Sequence, residues 1–185
     1  MIGDATMHPI PSIRNECAED IPAVHAVVQS AFGRVDEARL VDALRRSGAL
    51  VLSAVALLGG RVVGHIAFSP VTVHSANLVP SVLALAPVAV TPDFQRQGIG
   101  SALVRWALEE CRRLGHGVVI VLGGPGYYQR FGFTPAAKFG IECPFPVPPE
   151  TFMLLELSPD AAHGHRGIVR YRPEFESVSA NAHAA

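Results

Sequence analysis

From Leu83 to Val90 the chain is apolar almost without interruption. It then turns polar from Thr91 to Gln97 and passes a Gly-x-Gly step at Gly98 and Gly100. Beyond that step Leu103, Val104, Trp106, Ala107, Leu108, Cys111 and Leu114 recur every three or four residues, the spacing of one helical face. The pattern predicts a strand, a short loop and an amphipathic helix stopped by Gly115. Val118 to Leu122 is a β-branched run with the character of a buried strand, broken by Gly123-Gly124-Pro125-Gly126. Upstream, Ile13-Arg14 opens a strand, and Glu19-Asp20-Ile21-Pro22 supplies an N-cap and first turn for a helix to about Ala31. Asp36 to Arg46 reads as a second helix closed by Gly48. Gly59-Gly60 joins Leu50–Leu58 to Arg61–Val73 as a hairpin, because paired glycines supply the positive φ values that such turns need. Thr134 to Glu150 is proline-rich and its prolines cannot sit inside a sheet, so this stretch is expected to cross the surface. Phe152 to Leu157 resumes as a strand.

A strand that turns through glycines into a helix leaves several backbone N–H groups unpaired and pointing outward. With the helix dipole added, the turn becomes a seat for a phosphate or pyrophosphate. Two familiar glycine motifs fail here. A dinucleotide fingerprint needs a third glycine where this chain has Leu103. A P-loop needs Gly-Lys-Ser/Thr, and Lys138 is the only lysine. What remains is Gln-x-x-Gly-x-Gly on Gln95, Gly98 and Gly100. Further on, Tyr127-Tyr128-Gln129-Arg130-Phe131-Gly132-Phe133 has a structural explanation of its own. It would be a short helix whose Phe131 and Phe133 fill the core and whose Gly132 is a C-cap.

In this order and spacing, the two segments resemble the GNAT N-acetyltransferase family: first its acetyl-CoA loop, then its aromatic-Tyr and Gly-Phe signature. The glycine-rich turn resembles a bacterial YhbS-like subgroup. Where Gly-Asp-Pro-Ala-Tyr-Tyr is expected there, this chain carries Gly124 and Gly126 in place of Asp and Ala, so no acid stands at position 124. The resemblance implies an α/β (α+β) GNAT fold, a mixed central β-sheet flanked by helices. It also implies a sheet splayed between the strand before the pyrophosphate loop and the strand that follows. It spans residues 12–175, which reads as a single domain over 1–185. The core is expected over about 12–134, a C-terminal extension over about 135–175, and a fraying tail over 177–185. The proline-rich stretch would lie near the acceptor side.

Acetyl-CoA is the implied cosubstrate. Backbone groups around Val88, Ala89 and Val90 would pair with pantetheine amides and the acyl carbonyl. Gln95, Arg96, Gln97, Gly98, Ile99, Gly100 and Ser101 would hold the pyrophosphate, Arg96 by charge. Tyr128 would face the CoA sulfur, with Tyr127 as an aromatic packing residue. Pro87 within the apolar strand marks either a bulge or edge, or the strand's start.

The chemistry needs a held thioester, a neutral amine and a proton for the leaving thiolate. A preorganised N–H can stabilise the oxyanion of acyl transfer. A phenol titrates near pH ~10, so Tyr128 is protonated at neutral pH and can serve as the acid. Many family members place a carboxylate on the strand before the loop, whereas Leu83 to Val90 holds none. Glu37, His65 and His74 are candidates for the base by exclusion only; a solvated helix face or a sheet-surface histidine is the better explanation for each.

Composition narrows the partners. Of 185 residues 49% are hydrophobic and 17% charged, enough for a folded core, and the net charge of −1 gives no electrostatic footprint for nucleic acid. Cys17, Cys111 and Cys143 are odd in number without Cys-x-x-Cys spacing, which suggests reduced core thiols in a cytoplasmic protein. No apolar run reaches membrane-span length and the start lacks a signal peptide's regions. His163 and His165 read as a solvated loop rather than a metal site. Two functions stay open: an acetyl-CoA-dependent N-acetyltransferase acting on an amine acceptor, or a catalytically silent acyl-CoA-binding module. A homodimer is compatible with either.

Overall fold

A computed structural model describes residues 11–74 and 82–176; the expected fraying tail and the side chain of His74 lie outside the described residues. In chain order the elements are β1 (Ser12–Asn15), α1 (Ile21–Phe32), α2 (Asp36–Arg46), β2 (Leu52–Leu58), β3 (Arg61–His74), β4 (Val82–Val90) and α3 (Ile99–Arg113). They continue as β5 (Val118–Leu122), α4 (Pro125–Tyr128), β6 (Thr134–Pro135), β7 (Ile141–Glu142), β8 (Phe152–Glu156) and β9 (Gly167–Arg170). The strands join in the order β1-β2-β3-β4-β5-β8-β6, with β9 pairing both β3 and β7. Neighbours from β1 to β4 run antiparallel, β4 runs parallel to β5, and β8 returns antiparallel to β5. This is the expected mixed sheet, extended by three short strands: β6 and β7 inside the proline-rich stretch, where Pro135 pairs with Met153 although no proline was expected in a sheet, and β9 beyond it.

Period-two alternation divides the sheet between two helical layers. Leu52, Ala54 and Ala56 of β2, with Ile66 and Phe68 of β3, pack on the α3 side beside Leu103, Val104 and Ala107. Val55, Val62 and Ala89 face α1, against Val24, Val27 and Val28. Gly33 closes α1 in the left-handed conformation (φ 70°), with its N–H on Gln29 O at 2.9 Å, a cap that favours glycine.

Several expectations are corrected. Asp20 does not cap α1 through its side chain. Its carboxylate accepts the Cys17 N–H at 2.9 Å, and Arg14 donates to it at 2.6 and 3.0 Å. A bidentate guanidinium recovers more than a cap would. Cys17 is exposed and Cys143 half-buried, so only Cys111 is a fully buried thiol.

Gly64 pairs with Val90 across β3 and β4. A Cβ there would lie 2.9 Å from Leu103 Cδ1 and 3.3 Å from both Ala89 O and Ile99 Cγ2. The bare backbone thus lets the first turns of α3 settle onto the sheet. Gly64→Val should lower stability by about 1–3 kcal/mol, the ordinary cost of overpacking, read as a lower urea midpoint. An unchanged midpoint would show that α3 is not seated there.

Candidate active site

The site begins with an irregularity in β4. Ile66 pairs with Val88 and Phe68 with Leu85, so Ala86 and Pro87 together oppose Ala67. Pro87 therefore sits at a β-bulge inside the strand, not at its start. The extra residue shifts the pleat by one. Val88 and Val90 consequently continue the face begun by Leu83 and Leu85. The Thr91 N–H donates to Val63 O at 2.9 Å, so by alternation Ala89 and Thr91 bond towards β3. The N–H and C=O of Val88 and Val90 then point to the opposite edge, towards β5. There β4 and β5 pair only at Leu83↔Val119 and Ala84↔Ile120. The strands part beyond that point, which is the expected splay.

After the strand, Thr91 to Gly98 forms a pinned loop. Gln95 Nε2 donates to Val90 O at 3.0 Å and Gln97 Nε2 to Asp93 O at 3.0 Å. Arg96 (φ 59°) and Gly98 (φ 88°) are left-handed, which turns successive N–H groups to one side. Helical bonding starts with Ala102 N–H on Gly98 O at 2.9 Å, leaving Ile99, Gly100 and Ser101 N–H without an intrahelical acceptor. The turn thus has the backbone geometry anticipated from the sequence, with three N–H groups free at the start of α3.

A groove of about 630 Å³ runs from this seat along β4; Val88, Val90, Gln95, Arg96, Gly98 and Gly100 line it, with Ser101, Tyr128 and Arg130. A second cavity, of about 640 Å³, opens on the other side of the gap between β4 and β5. Val88, Tyr127 and Tyr128 border both. Three predicted site residues do not line either one. Ala89 and Ile99 are buried in the core, where only their backbones are available, and the Gln97 side chain is spent on Asp93 O.

Tyr128 lies in a nest of rings, 5.0 Å from Tyr127 and 5.7 Å from Phe133, both edge-on. Its ring covers Gly123: a Cβ there would collide with Tyr128 Cε2. Burial, with a smaller push from Tyr127, holds the phenol protonated well above its usual range. Tyr127 is more than packing. Its hydroxyl hydrogen-bonds Ser101 and lies where a Cβ on Gly100 would be, 2.9 Å away. Arg130 stacks over the Tyr127 ring at 4.3 Å and adds a cation to the groove that the sequence reading missed.

Of the two candidates for a base whose side chains are described, Glu37 and His65, only Glu37 reaches a cavity, and it is not on a solvated face. Its side chain is 8% exposed and takes Arg34 Nε and Nη2 at 2.5–3.1 Å. His65 is fully buried rather than on the sheet surface. It faces Ser53 Oγ at 2.8 Å and Glu16 at 3.4 Å, and burial keeps it neutral below its usual range. Its partners across the sheet, Val55 and Ala89, place it on the α1 side and away from both cavities. His165 is also buried, 5% exposed, and not in solvent as expected, while His163 is exposed.

The acetyltransferase (GNAT) family profile matches residues 15–133, which take in α1 to α4, with the bulged strand, the glycine turn into α3 and Tyr128. The chain belongs to this family. Its class is accordingly that of an acyltransferase enzyme. The GNAT chain is 37% identical over 164 residues to the uncharacterized N-acetyltransferase YhbS of Escherichia coli K12, covering 88% of this chain and 97% of that one. To YjhQ of the same strain, also named an uncharacterized N-acetyltransferase, it is 39% identical over 134 residues, covering 71% and 74%. Among solved structures, E. coli YhbS in complex with CoA superposes with a TM-score of 0.86 at 34% identity, covering 94% of this chain and 96% of that one. A Brucella melitensis GNAT acetyltransferase in complex with acetyl-CoA gives 0.75 at 36%, covering 91% and 99%.

Gly123→Ala should push the Tyr128 ring from its seat, changing the near-ultraviolet tyrosine dichroism and costing about 1–3 kcal/mol of stability. If neither moves, the ring does not depend on that bare backbone.

Proposed function

We propose that this GNAT enzyme transfers the acetyl group of acetyl-CoA to a primary amine by direct attack on the thioester. One observation carries the reading: the anion-seat groove and the second cavity meet only at Val88, Tyr127 and Tyr128. A cosubstrate and an acceptor can thus approach the same point from opposite sides. The binding of CoA and acetyl-CoA by the two similar structures supports it.

In this reading the N–H groups of Gly98 to Ser101, with Arg96 and Arg130, take the diphosphate. Backbone groups of Val88 and Val90 pair with the pantetheine amides, replacing the absent strand. Bound there, acetyl-CoA supplies the acyl carbon as a thioester. The Val88 N–H faces the acyl oxygen, where negative charge grows as the amine adds. The amine lone pair forms the C–N bond and the C–S bond breaks. Tyr128 passes its hydroxyl proton to the sulfur and recovers one from the acylated nitrogen through water, so no net proton is taken up. The raised proton affinity of Tyr128 fits this role, because the same dry site raises that of the departing thiolate.

Acetyl-CoA at 100 times its dissociation constant should add about 2.7 kcal/mol of apparent stability, while NAD and ATP add none. Gly98→Val and Gly100→Val should abolish that gain, since the first strains a left-handed backbone and the second collides with Tyr127. Thermal melts with each nucleotide decide this, and no shift in folded wild-type protein would end the reading.

Tyr128→Phe should lower kcat by roughly 10²–10⁴-fold with CoA affinity retained. The wild-type rate should show no alkaline decline from Tyr128 below pH ~10, because a phenol raised above that value keeps its proton. Normal turnover in the variant, with chemistry limiting, would make the hydroxyl structural. Binding without any turnover in the wild type would instead favour a silent acyl-CoA module.

A further inference from the structure

We propose that the acceptor is a small primary amine with an apolar or aromatic body and a single ionisable nitrogen. The inference rests on the acetyl-transfer reading above and specifies its acceptor. It excludes polyamines, amino sugars and lysine-rich peptides.

The cavity opposite the anion seat is walled by Phe32, Leu40, Leu85, Phe145, Tyr171 and Phe175. Its aromatic side is continuous: the Phe145 and Tyr171 centroids lie 5.4 Å apart and those of Tyr171 and Phe175 5.0 Å. These rings come from the C-terminal extension, while Phe32 and Leu40 come from the α1–α2 layer. The chamber is thus closed by parts of the chain remote from the anion seat. Among the described residues, Arg34 and Glu37 are the only charged groups in its wall. Both nitrogens that Arg34 turns towards Glu37 donate to that carboxylate, so the pair is neutral as a unit.

A wall of this kind selects by charge number. An amine with an apolar body leaves water for a surface like itself. A second ammonium would lose its hydration and find no unspent carboxylate, a cost that grows with each charge. The same dryness bears on the absent base. Burial lowers the proton affinity of an amine, so a monoamine sheds its proton to water on entering and attacks as the free base. No second carboxylate or imidazole lines the chamber among the described residues, and the desolvated wall makes one unnecessary.

The test is calorimetric titration of the full chain saturated with CoA, using 2-phenylethylamine and 3-methylbutylamine against putrescine and spermidine. The two monoamines should bind at least tenfold more tightly than the polyamines, and with acetyl-CoA their kcat/KM should lead by a similar factor. Arg34→Gln leaves the Glu37 carboxylate unpaired. Since the Arg34 side chain is 41% exposed, the variant should fold, verified by a retained CoA-induced melting shift. It should narrow the monoamine preference at least fivefold by strengthening putrescine. Equal or tighter binding of putrescine or spermidine to the wild type would overturn the proposal, as would failure of both monoamines to bind. An unchanged ratio in Arg34→Gln would overturn it too, by showing that the ion pair does not set the selectivity. Monoamine preference in binding without any acetyl transfer would leave the ligand class standing and sink the transfer reading alone.

Discussion

The hydrogen bonding of β4 to β5 stops at Ala84, although both strands continue. A strand carries an obligatory donor and acceptor at every residue, so an edge left open inside a domain must meet water or a ligand. Everything at the site is arranged around that open edge. The bulge at Ala86 and Pro87 re-phases β4, so that Val88 and Val90 present their backbone to the gap while their side chains stay on the α3 face. Gly64 brings α3 down onto the same strand. The N-terminus of the helix, with its unpaired N–H groups, therefore lies in line with the unpaired N–H groups of β4. Both line one groove.

Desolvation is the second organising effect. Tyr128 is seated on a bare backbone at Gly123 and ringed by Tyr127 and Phe133, which leaves it half-buried and its hydroxyl harder to ionise. The charged groups in the wall of the second cavity are withdrawn into the Arg34–Glu37 pair. Elsewhere the chain treats buried charge the same way. Glu16 takes Arg45 at 2.7 Å, and Arg45 also holds Asp42 at 2.7 Å, which in turn meets His25 at 2.7 Å. That chain of contacts fastens α2 to the segment that follows β1. Pairing rather than exposure is how this fold tolerates carboxylates in its interior.

Features legible in the sequence were local ones. The spacing of Gln95, Gly98 and Gly100, the helical periodicity after Gly100 and the paired glycines at 59 and 60 each encode a backbone requirement within a few residues. The structure keeps them all. Gly132 also caps its turn, at φ 92°. By contrast, Glu37 and His65 looked exposed because their neighbours in sequence are polar or alternate. Arg34 folds back over Glu37, while Ser53 from β2 and Glu16 from just after β1 meet His65. Asp20 looked like a cap until Arg14, from β1, claimed it. Gly123 and Arg130 carried no signal beyond a loop and a surface cation, since what they serve is a ring and a groove assembled from distant segments.

The sequence by itself determined the order of the main helices and strands, the glycine turn into α3 and the short aromatic segment that carries Tyr128, because turn geometry and helix periodicity act over one to four residues. Only the tertiary structure decided which face Val88 and Val90 present, since one bulged residue reverses the pleat. It alone also showed that the C-terminal rings close a chamber against Phe32 and Leu40. Those outcomes depend on which strands pair and where pairing ends, and that is settled by long-range burial rather than by neighbours along the chain.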